Sequence, residues 1–293
     1  MLENIKGKVK YNEPLKRHTS FRIGGAAKFF IQPDDLADLK MALVQLKKGG
    51  VRPYIIGKGS NILALDRRLN LGVINLSSAY FKRLRVTGNK LVAAGGASLK
   101  DLLSLSKERG LSGLEFLAGI PGSLGGSLIM NAGSQGQSIG DLVIQVKVMN
   151  YNNQIRILRK EDLNFGYRKS NLAKYIILEA ALRLSKSTKG EVSKRIRKYL
   201  ISRSKEQDYQ HPSCGCFFKN PKGYSAGRLI DMCGLKGKQV GGAAVSNRHA
   251  NFIVNLRDAK SSDVLKLASL AIKKVHDKFN INLEPEVKIL QGE

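Results

Sequence analysis

The sequence has few cysteines and no long apolar segment. Only three cysteines occur in 293 residues, and so small and odd a number argues against a framework of disulfides. No run of about 18 apolar residues is present, so we expect no transmembrane helix. The N-terminal segment lacks the apolar core of a secretory signal. These absences together make the cytoplasm the simplest expected compartment.

Acidic residues are also scarce. The chain has 23 Asp and Glu against 50 Lys and Arg, a formal net charge of +27. Such a charge is compatible with nucleic-acid binding, because Lys and Arg neutralise phosphates. The basic residues, however, are spread along the chain, and the cluster at 194–198 follows a helical pattern typical of a solvated face. A basic surface would equally concentrate an anionic substrate, so nucleic-acid binding is kept as an alternative.

The remaining composition is that of an ordinary globular protein, and the length predicts two or three domains. We predict helices at 35–48, capped by Asp34, at 99–109, capped by Ser98, and at 190–205, 225–233 and 262–279. We predict strands at 52–56, 72–76, 81–86, 91–94, 142–151, 154–158, 176–184, 252–255 and 285–290. This mixture indicates an α+β fold, with the main domain boundary at the basic helix near residue 190.

Glycine is concentrated in two places. Residues 110–140 contain nine glycines, and Gly57-Lys-Gly-Ser-Asn61 forms a shorter cluster. Glycine lets backbone N–H groups approach phosphate oxygens without a Cβ in the way. Neither cluster is a Rossmann fingerprint or a Walker A motif, and either cluster alone is also compatible with plain tight turns.

An ordered series of motifs contains both clusters. It consists of Thr19-Ser-Phe-Arg-Ile-Gly-Gly25, Gly57-Lys-Gly-Ser-Asn-Ile-Leu63, Gly113-Leu-Glu-Phe-Leu-Ala-Gly-Ile-Pro-Gly-Ser-Leu-Gly-Gly126, Asn131-Ala-Gly133, Tyr167-Arg168-Lys-Ser170, Gly215-Cys-Phe-Phe-Lys-Asn-Pro221, Ala226-Gly-Arg-Leu-Ile-Asp231 and Glu284-Pro-Glu286. In this order the series resembles the UDP-N-acetylenolpyruvoylglucosamine reductase (MurB) family. The resemblance covers residues 14–291, and its length in register makes it much more specific than a glycine loop.

The resemblance implies a vanillyl-alcohol-oxidase-like (PCMH-type) FAD-binding region of two subdomains, followed by a C-terminal α+β substrate-binding domain. We place the first subdomain at 1–66, the second at 67–188 and the C-terminal domain at 189–293. The family binds FAD non-covalently and uses NADPH to reduce the enolpyruvyl ether of UDP-N-acetylglucosamine to UDP-N-acetylmuramate for peptidoglycan. The chain has no long insertion near 184–203, so it resembles the shorter subgroup without the tyrosine loop. No obligate protein partner is expected.

The resemblance also implies the residues that contact the cofactor and the substrate. The cofactor-binding residues would be Gly57, Lys58, Gly59, Ser60, Asn61, Gly119, Ile120, Pro121, Gly122, Ser123, Gly125, Gly126, Asn131 and Gly133. The substrate-binding residues would be Tyr167, Lys219, Asn220, Arg228 and Glu284. The sequence shows no motif for a 2′-phosphate, so NADPH is preferred over NADH by the resemblance alone.

Three residues match the catalytic positions of the family. Arg168 offers a permanent charge with fork geometry for a carboxylate. Glu286 would stabilise the enolate. Glu284 is two residues away, so on a strand both side chains would face one side, and their like charges would raise the pKa of one of the two carboxyl groups. Cys216 stands where the family usually has a serine that protonates the enol carbon, and a thiol with its ordinary pKa near 8.5 still holds its proton at neutral pH.

Two other assignments are kept as alternatives. His211, Cys214, Cys216 and Cys233 offer N and S ligands, but their spacing is not that of the usual paired zinc motifs, so no metal is expected. Another FAD oxidase of the same superfamily would share the N-terminal two-thirds, and the C-terminal motifs around Cys216 and Glu286 separate it from the reductase.

Overall fold

The computed structural model describes residues 2–292, which fall into two compact units. The first unit is built from the chain up to Tyr11, from Phe29–Lys58 and from Leu71–Ser202. The second is built from Asn12–Lys28, Gly59–Asn70 and the chain from Arg203 onward. Neither unit is a continuous stretch, so each depends on contacts between residues far apart in sequence. The division into domains at 1–66, 67–188 and 189–293 stays a prediction.

Six α-helices lie in the described residues 2–292. They are α1 (Leu36–Lys48), α2 (Leu99–Glu108), α3 (Leu124–Ile129), α4 (Lys189–Glu206), α5 (Ala226–Met232) and α6 (Ser261–Phe279). Side-chain caps explain several of their starts: Ser98 accepts a hydrogen bond from the Asp101 N–H at 3.1 Å. The expected cap Asp34 is wrong. Its neighbour Asp35 caps α1 by accepting from the Asp38 N–H at 2.9 Å, while the Asp34 N–H donates to Asp38.

The strands are short and mostly antiparallel. They are β1 (Lys8–Pro14), β2 (Ala26–Gln32), β3 (Arg52–Ile56), β4 (Ile62–Ala64), β5 (Leu69–Asn75), β6 (Leu84–Thr87), β7 (Lys90–Ala94), β8 (Leu111–Ser112), β9 (Gly133–Ser134), β10 (Gln137–Ser138), β11 (Val143–Met149), β12 (Ile155–Arg159), β13 (Phe165–Gly166), β14 (Lys169–Ser170), β15 (Ile176–Arg183), β16 (Ser185–Lys186), β17 (Ser213–Cys216), β18 (Gln239–Val240), β19 (Ala243–Val245), β20 (Phe252–Asn255) and β21 (Lys288–Leu290).

Three predicted strands begin elsewhere in the structure. The strand expected at 72–76 is β5, which begins earlier, at Leu69. The stretch expected at 81–86 starts with a 3₁₀ helix, Tyr80–Lys82, and only then continues as β6. The stretch expected at 285–290 becomes a strand only at Lys288. Pro285 has no N–H to donate to a ladder, which is consistent with a regular strand that begins only after it.

The first unit contains a five-stranded antiparallel sheet in the order β12-β11-β15-β7-β6. Leucines of α2 and α3, including Leu102 and Leu128, are buried in the same apolar cluster as Leu91 and Leu182 of this sheet. Strands β1, β2, β5 and β3 form a second sheet in that order, with β3 and β5 parallel. Helix α1 buries Leu39, Leu43 and Leu46, whose spacing places them on one face.

The second unit contains a four-stranded antiparallel sheet in the order β17-β20-β19-β18. Helix α6 buries Val264, Leu267, Ala268, Ala271 and Val275, a helical face of the kind that the sequence pattern indicates. The same apolar cluster includes Phe217 and Phe218, which directly follow β17. Strand β21 pairs in parallel with β4, which brings the end of the chain beside the segment after Asn61.

Candidate active site

A pocket in the first unit brings the two predicted glycine clusters together. Gly57 and Lys58 come from the turn after β3, and Ser123, Gly125 and Gly126 come from the start of α3. We call this the glycine pocket; its further lining residues are Ile55, Ile56, Asn75, Leu76, Ser77, Lys82, Gly95, Gly96, Ile129, Tyr175 and Ile177. These five predicted cofactor-binding residues therefore share one site.

The walls of the glycine pocket are too close to each other to admit side chains. A Cβ on Gly57 would lie 2.4 Å from Ser123 Oγ, and one on Gly125 would lie 3.1 Å from the Gly95 carbonyl oxygen. A Cβ on Gly96 would lie 1.8 Å from the Leu76 carbonyl oxygen. Glycine is thus favoured at these positions because neighbouring groups, among them the carbonyl oxygens of Leu76 and Gly95, leave little or no room for a Cβ.

Most of the first N–H groups of α3 are already used inside the protein. The Leu124 N–H donates to the Ala97 carbonyl at 2.9 Å, and the Gly125 N–H donates to the Gly95 carbonyl at 2.8 Å. The Gly126 N–H donates to Ser123 Oγ at 3.4 Å. The positive charge of the pocket therefore comes chiefly from the lysines of its lining, Lys58 and Lys82, both exposed.

Sequence reasoning missed several residues of this lining. Asn75 donates from Nδ2 to the carbonyl oxygens of Ile56 (3.0 Å) and Gly57 (2.9 Å), which fixes the turn after β3. Gly95-Gly96 directly follows a strand that was predicted, and a glycine pair at a strand end was an available signal. The sequence around Lys82 and Tyr175 contains no motif that indicates a binding site, because only the fold brings these residues to the pocket.

The other predicted cofactor-binding residues of the first unit lie outside the lining of the glycine pocket. Gly119, Ile120, Pro121 and Gly122 form the loop that leads to Ser123. Asn131 is buried; its Nδ2 donates to the Gly166 carbonyl at 3.0 Å and its Oδ1 accepts from the Gly140 N–H at 3.0 Å. Asn131 thus contacts the hairpin formed by β13 and β14 next to its turn.

This hairpin carries Arg168. Tyr167 and Arg168 form the two-residue turn between β13 and β14, and Arg168 has a φ of 55°, in the left-handed region. The Arg168 guanidinium donates to the Gly133 carbonyl at 3.3 Å and lies 5.1 Å from the centre of the Tyr167 ring. Gly133 and Asn131 therefore contact the segment of the predicted catalytic arginine.

The second unit brings the other two catalytic candidates onto facing backbone segments. Cys216 ends β17, and Phe217, Phe218 and Lys219 follow it. The Glu286 N–H donates to the Phe217 carbonyl at 2.8 Å, and the Lys219 N–H donates to the Glu284 carbonyl at 2.9 Å. Between them Phe218 and Pro285 form an isolated bridge. We call these two segments, residues 216–219 and 284–286, the Cys–Glu ladder.

In the ladder, Glu286 pairs with Phe217, the residue that follows Cys216. Cys216 and Glu286 are both half-buried, whereas Cys214 is buried. Burial raises the pKa of the Cys214 thiol, and the nearby charges of Cys216 and Glu286 raise it further. Cys216 and Glu286 therefore both lie near enough to Cys214 to affect its titration.

The predicted substrate residues of the second unit lie around this ladder. Lys219 forms an ion pair with Glu284, whose side chain is 70% exposed. The two glutamates are not on a regular strand, since β21 begins at Lys288, so the expectation of a shared strand face is wrong. Asn220 accepts a hydrogen bond from the Ala226 N–H at 3.0 Å and so holds the start of α5, which carries the exposed Arg228.

The remaining predicted cofactor residues, Gly59, Ser60 and Asn61, belong to the second unit. Gly59 has a φ of 63°, and a Cβ there would lie 2.0 Å from the His18 carbonyl oxygen. Asn61 Nδ2 donates to the Glu286 carbonyl at 3.2 Å, and the Asn61 backbone carbonyl accepts from the Lys288 N–H at 3.0 Å. Asn61 thereby fixes the backbone on the far side of Glu286.

No group of three or more His, Cys, Asp or Glu side chains within residues 2–292 is arranged to hold a metal ion. Of the four ligands considered for zinc, His211 contacts Asp208 and Cys233 donates to the Lys274 carbonyl. The described helices also include none long and apolar enough to cross a membrane.

Two family models match parts of this chain. Residues 27–159 match the model of an FAD binding domain, and residues 207–290 match the model described as UDP-N-acetylenolpyruvoylglucosamine reductase, C-terminal domain. The predicted fold class, an α+β chain with an FAD-binding region followed by a C-terminal domain, is confirmed. The C-terminal match disfavours an unrelated oxidase that shares only the N-terminal region.

Several full-length relatives are similar to this chain. The UDP-N-acetylenolpyruvoylglucosamine reductase of Caldanaerobacter subterraneus subsp. tengcongensis is 39% identical over 97% of this chain and 94% of its own length. That of Bacillus pumilus is 38% identical over 100% of this chain and 97% of its own length. The crystal structure of the Thermus caldophilus enzyme superposes with a TM-score of 0.83 at 34% identity, covering 97% of this chain and 98% of the other. The chain therefore belongs to the UDP-N-acetylenolpyruvoylglucosamine reductase (MurB) family.

Proposed function

We propose that this chain is an FAD-dependent enzyme that uses NADPH to reduce the enolpyruvyl ether of UDP-N-acetylglucosamine to UDP-N-acetylmuramate. The reaction would supply a peptidoglycan precursor in the cytoplasm. The observation that carries the proposal is the Cys–Glu ladder, because the Glu286 N–H bonds to the carbonyl of Phe217, the residue after Cys216. This ladder lies within the part of the chain that matches the reductase C-terminal domain.

The glycine pocket fits FAD. Its main-chain walls admit close approach of a phosphate, and Lys58 and Lys82 supply positive charge for a diphosphate. The aliphatic lining, including Ile55 and Ile129, and the ring of Tyr175 suit the flat apolar part of a nucleotide cofactor. When bound, FAD would carry the hydride from NADPH to the substrate.

Residues of the chain would stabilise the negative charge that develops on the substrate and would donate a proton to it. A hydride adds to the vinyl carbon β to the substrate carboxylate, and negative charge then grows on that carboxylate as an enolate. Groups that interact more strongly with this growing charge lower the barrier. Arg168 would supply a permanent positive charge to the carboxylate, and Glu286 would stabilise the enolate. Cys216 would donate its thiol proton to the α-carbon, which completes the reduction of the double bond.

The remaining predicted contacts are proposed for substrate recognition. Tyr167, Lys219, Asn220, Arg228 and Glu284 would contact the UDP-sugar or the nicotinamide nucleotide. Lys219 is the best placed to act with Cys216, because its backbone belongs to the Cys–Glu ladder and its ammonium is already oriented by Glu284. The ammonium would then be available to a substrate carboxylate with little loss of side-chain freedom.

The test is NADPH oxidation with and without the enolpyruvyl ether of UDP-N-acetylglucosamine. The purified protein should be yellow, and oxidation should depend on the substrate with UDP-N-acetylmuramate as product. The same assay with NADH measures the preference between the two nucleotides. Oxidation at the same rate without the substrate would reject the proposed function, and a colourless protein that binds no added FAD would reject the assigned cofactor.

A further inference from the structure

Asn251 makes an unusual set of hydrogen bonds to a single residue. It is 2% exposed. Its Oδ1 accepts from the Phe218 N–H at 2.9 Å, and its Nδ2 donates to the Phe218 carbonyl at 2.8 Å. Its own carbonyl accepts from the Phe217 N–H at 2.7 Å. The side-chain amide thus acts toward Phe218 as the backbone of a paired strand would.

The segment that Asn251 holds connects the proposed proton donor, Cys216, with the backbone of the proposed enolate-stabilising residue, Glu286. Cys216 directly precedes Phe217, and the Phe217 carbonyl accepts the hydrogen bond from the Glu286 N–H. A shift or rotation of residues 217–218 would therefore change the position of Cys216 relative to Glu286. The Asn251 amide opposes such a shift from one side and the backbone of 284–286 opposes it from the other.

Regular pairing with β20 provides only part of this restraint. The register of β17 against β20 is irregular between Ser213 and Cys216, and regular pairing of β17 ends at Cys216. Gly215, inside the irregular stretch, has a φ of 79°. Beyond Cys216 the β20 side offers one main-chain bond, from the Phe217 N–H to the Asn251 carbonyl, and the Asn251 side chain adds two bonds to Phe218.

We propose that Asn251 is a positioning residue that sets the register of Cys216 against Glu286. The proposal rests on the proposed function, in which these two groups deliver the proton and stabilise the enolate. Asn251 would touch neither substrate nor cofactor and would act only through the Phe217–Phe218 backbone. Misplacement of reacting groups by about 1 Å costs on the order of 100-fold in rate, so loss of the clamp should be visible in turnover.

The alternative is a purely structural role, because Phe217 and Phe218 are buried and their rings pack edge to face at 5.1 Å. Asn255 provides a matched control for this alternative. It is also buried, lies at the end of β20, donates from Nδ2 to the Phe21 carbonyl at 3.1 Å and accepts at Oδ1 from the Ala259 N–H at 3.0 Å. Its side-chain bonds involve no residue of the Cys–Glu ladder.

The experiment compares Asn251→Asp with Asn255→Asp. Each change keeps the side-chain shape but replaces a donor facing a carbonyl oxygen with a carboxylate oxygen, so the cost in stability should be similar. Thermal unfolding, flavin content, kcat, KM for NADPH and the rate at which iodoacetamide alkylates Cys216 are measured for both. The alkylated cysteine is identified by peptide mass spectrometry.

We expect Asn251→Asp to lower kcat by about 10- to 100-fold with flavin content and KM for NADPH near the wild-type values. We also expect it to change the alkylation rate of Cys216, while Asn255→Asp leaves kcat and the alkylation rate near wild type. Equal losses of kcat in both variants, or no change of either readout in Asn251→Asp, would overturn the proposal.

Two further provisions keep the result decisive. If Asn251→Asp does not accumulate as folded protein, Asn251→Ser is measured in its place. It removes the two side-chain hydrogen bonds to Phe218 without burying a charge, and the same results are expected from it. Alkylation needs no substrate, so a wild-type protein without substrate-dependent turnover would reject the proposed function separately. The alkylation comparison would then still decide whether Asn251 positions Cys216.

Discussion

The glycine pocket of the first unit and the Cys–Glu ladder of the second unit place their functional groups in different ways. The pocket consists of backbone segments so close that a Cβ on Gly96 would meet a carbonyl oxygen at 1.8 Å. The ladder depends on single side chains, Asn61 and Asn251, that hold the backbone beside Glu286 and Cys216. A change in the pocket should therefore harm folding and cofactor binding together, whereas a change at the ladder should harm turnover in a protein that still folds.

The largest expected effect concerns Cys216. Cys216→Ala removes the proposed proton donor and should lower kcat by about 100- to 10,000-fold, the usual contribution of general acid catalysis. Cys216→Ser, which keeps a donor of similar size, should retain much of the activity. Steady-state NADPH oxidation with the enolpyruvyl substrate measures both. Cys233→Ala, a change at a half-buried cysteine in α5's C-cap, is the control and should keep wild-type kcat.

If Cys216→Ala turned over as fast as the wild type, the ladder would not supply the proton. The claim that the ladder acts in turnover would then be wrong. A loss of flavin in Cys216→Ala would contradict the comparison in another way, because it would link the ladder to cofactor binding.

A smaller effect is expected in the glycine pocket. Gly96→Ala forces the Leu76 carbonyl to move and should destabilise the fold by about 1–3 kcal/mol, the usual cost of overpacking. Flavin content should fall with stability, because Gly96 lines the pocket. Gly190→Ala in α4, where the nearest atom to a new Cβ is 3.9 Å away, is the control and should keep both. Thermal unfolding and flavin absorbance are the measurements.

The comparison would weaken if Gly96→Ala lowered kcat while stability and flavin content stayed as in the wild type. The pocket would then act in turnover rather than in holding the cofactor.

The smallest effect concerns pH and His249, which lies beside Asn251. Burial lowers the pKa of His249 below its ordinary value, and its Nδ1 accepts from the Asn251 N–H at 3.2 Å. In the window between the lowered folded pKa and the unfolded pKa of about 6.5, the unfolded state binds more protons. Stability should therefore fall as the pH drops below about 6.5, and His249→Gln should make that fall shallower.

Denaturant unfolding at several pH values measures this contribution. His276→Gln in α6, at an exposed histidine, serves as the control. A pH dependence identical in His249→Gln and the wild type would show that His249 does not contribute to it.

Local sequence patterns predict the structure well where neighbouring residues determine it, and poorly where distant residues do. Local caps located two helices closely: α2 begins at Leu99 after Ser98, as expected, and the cap of α1 is Asp35, one residue after the predicted Asp34. The glycine pocket was predictable in part, since Gly57 and Gly125 belong to clusters that local composition makes visible. Where a tertiary contact decides the structure, prediction failed. Residues 80–82 form a 3₁₀ helix whose Phe81 carbonyl accepts from the Gly96 N–H, a partner that no local pattern indicates.

The ladder was predictable only through the family motifs around Cys216 and Glu286. Asn251 lies 33 residues from Phe218, and its sequence neighbourhood gives no sign of that contact. A buried amide that replaces a strand partner has no periodicity, so hydrophobic patterns cannot reveal it. The regular strand expected through Glu284 and Glu286 was wrong for a related reason: the backbone there pairs at single positions with residues 217–219.

The most direct test of the account separates the two halves of the reaction in Cys216→Ala. Rapid mixing measures the reduction of bound flavin by NADPH and, in a second experiment, its reoxidation by the enolpyruvyl substrate. The account predicts that reduction keeps the wild-type rate, because the pocket is intact, and that reoxidation slows by about 100-fold or more. Equal slowing of both halves, or a wild-type rate of reoxidation, would contradict it.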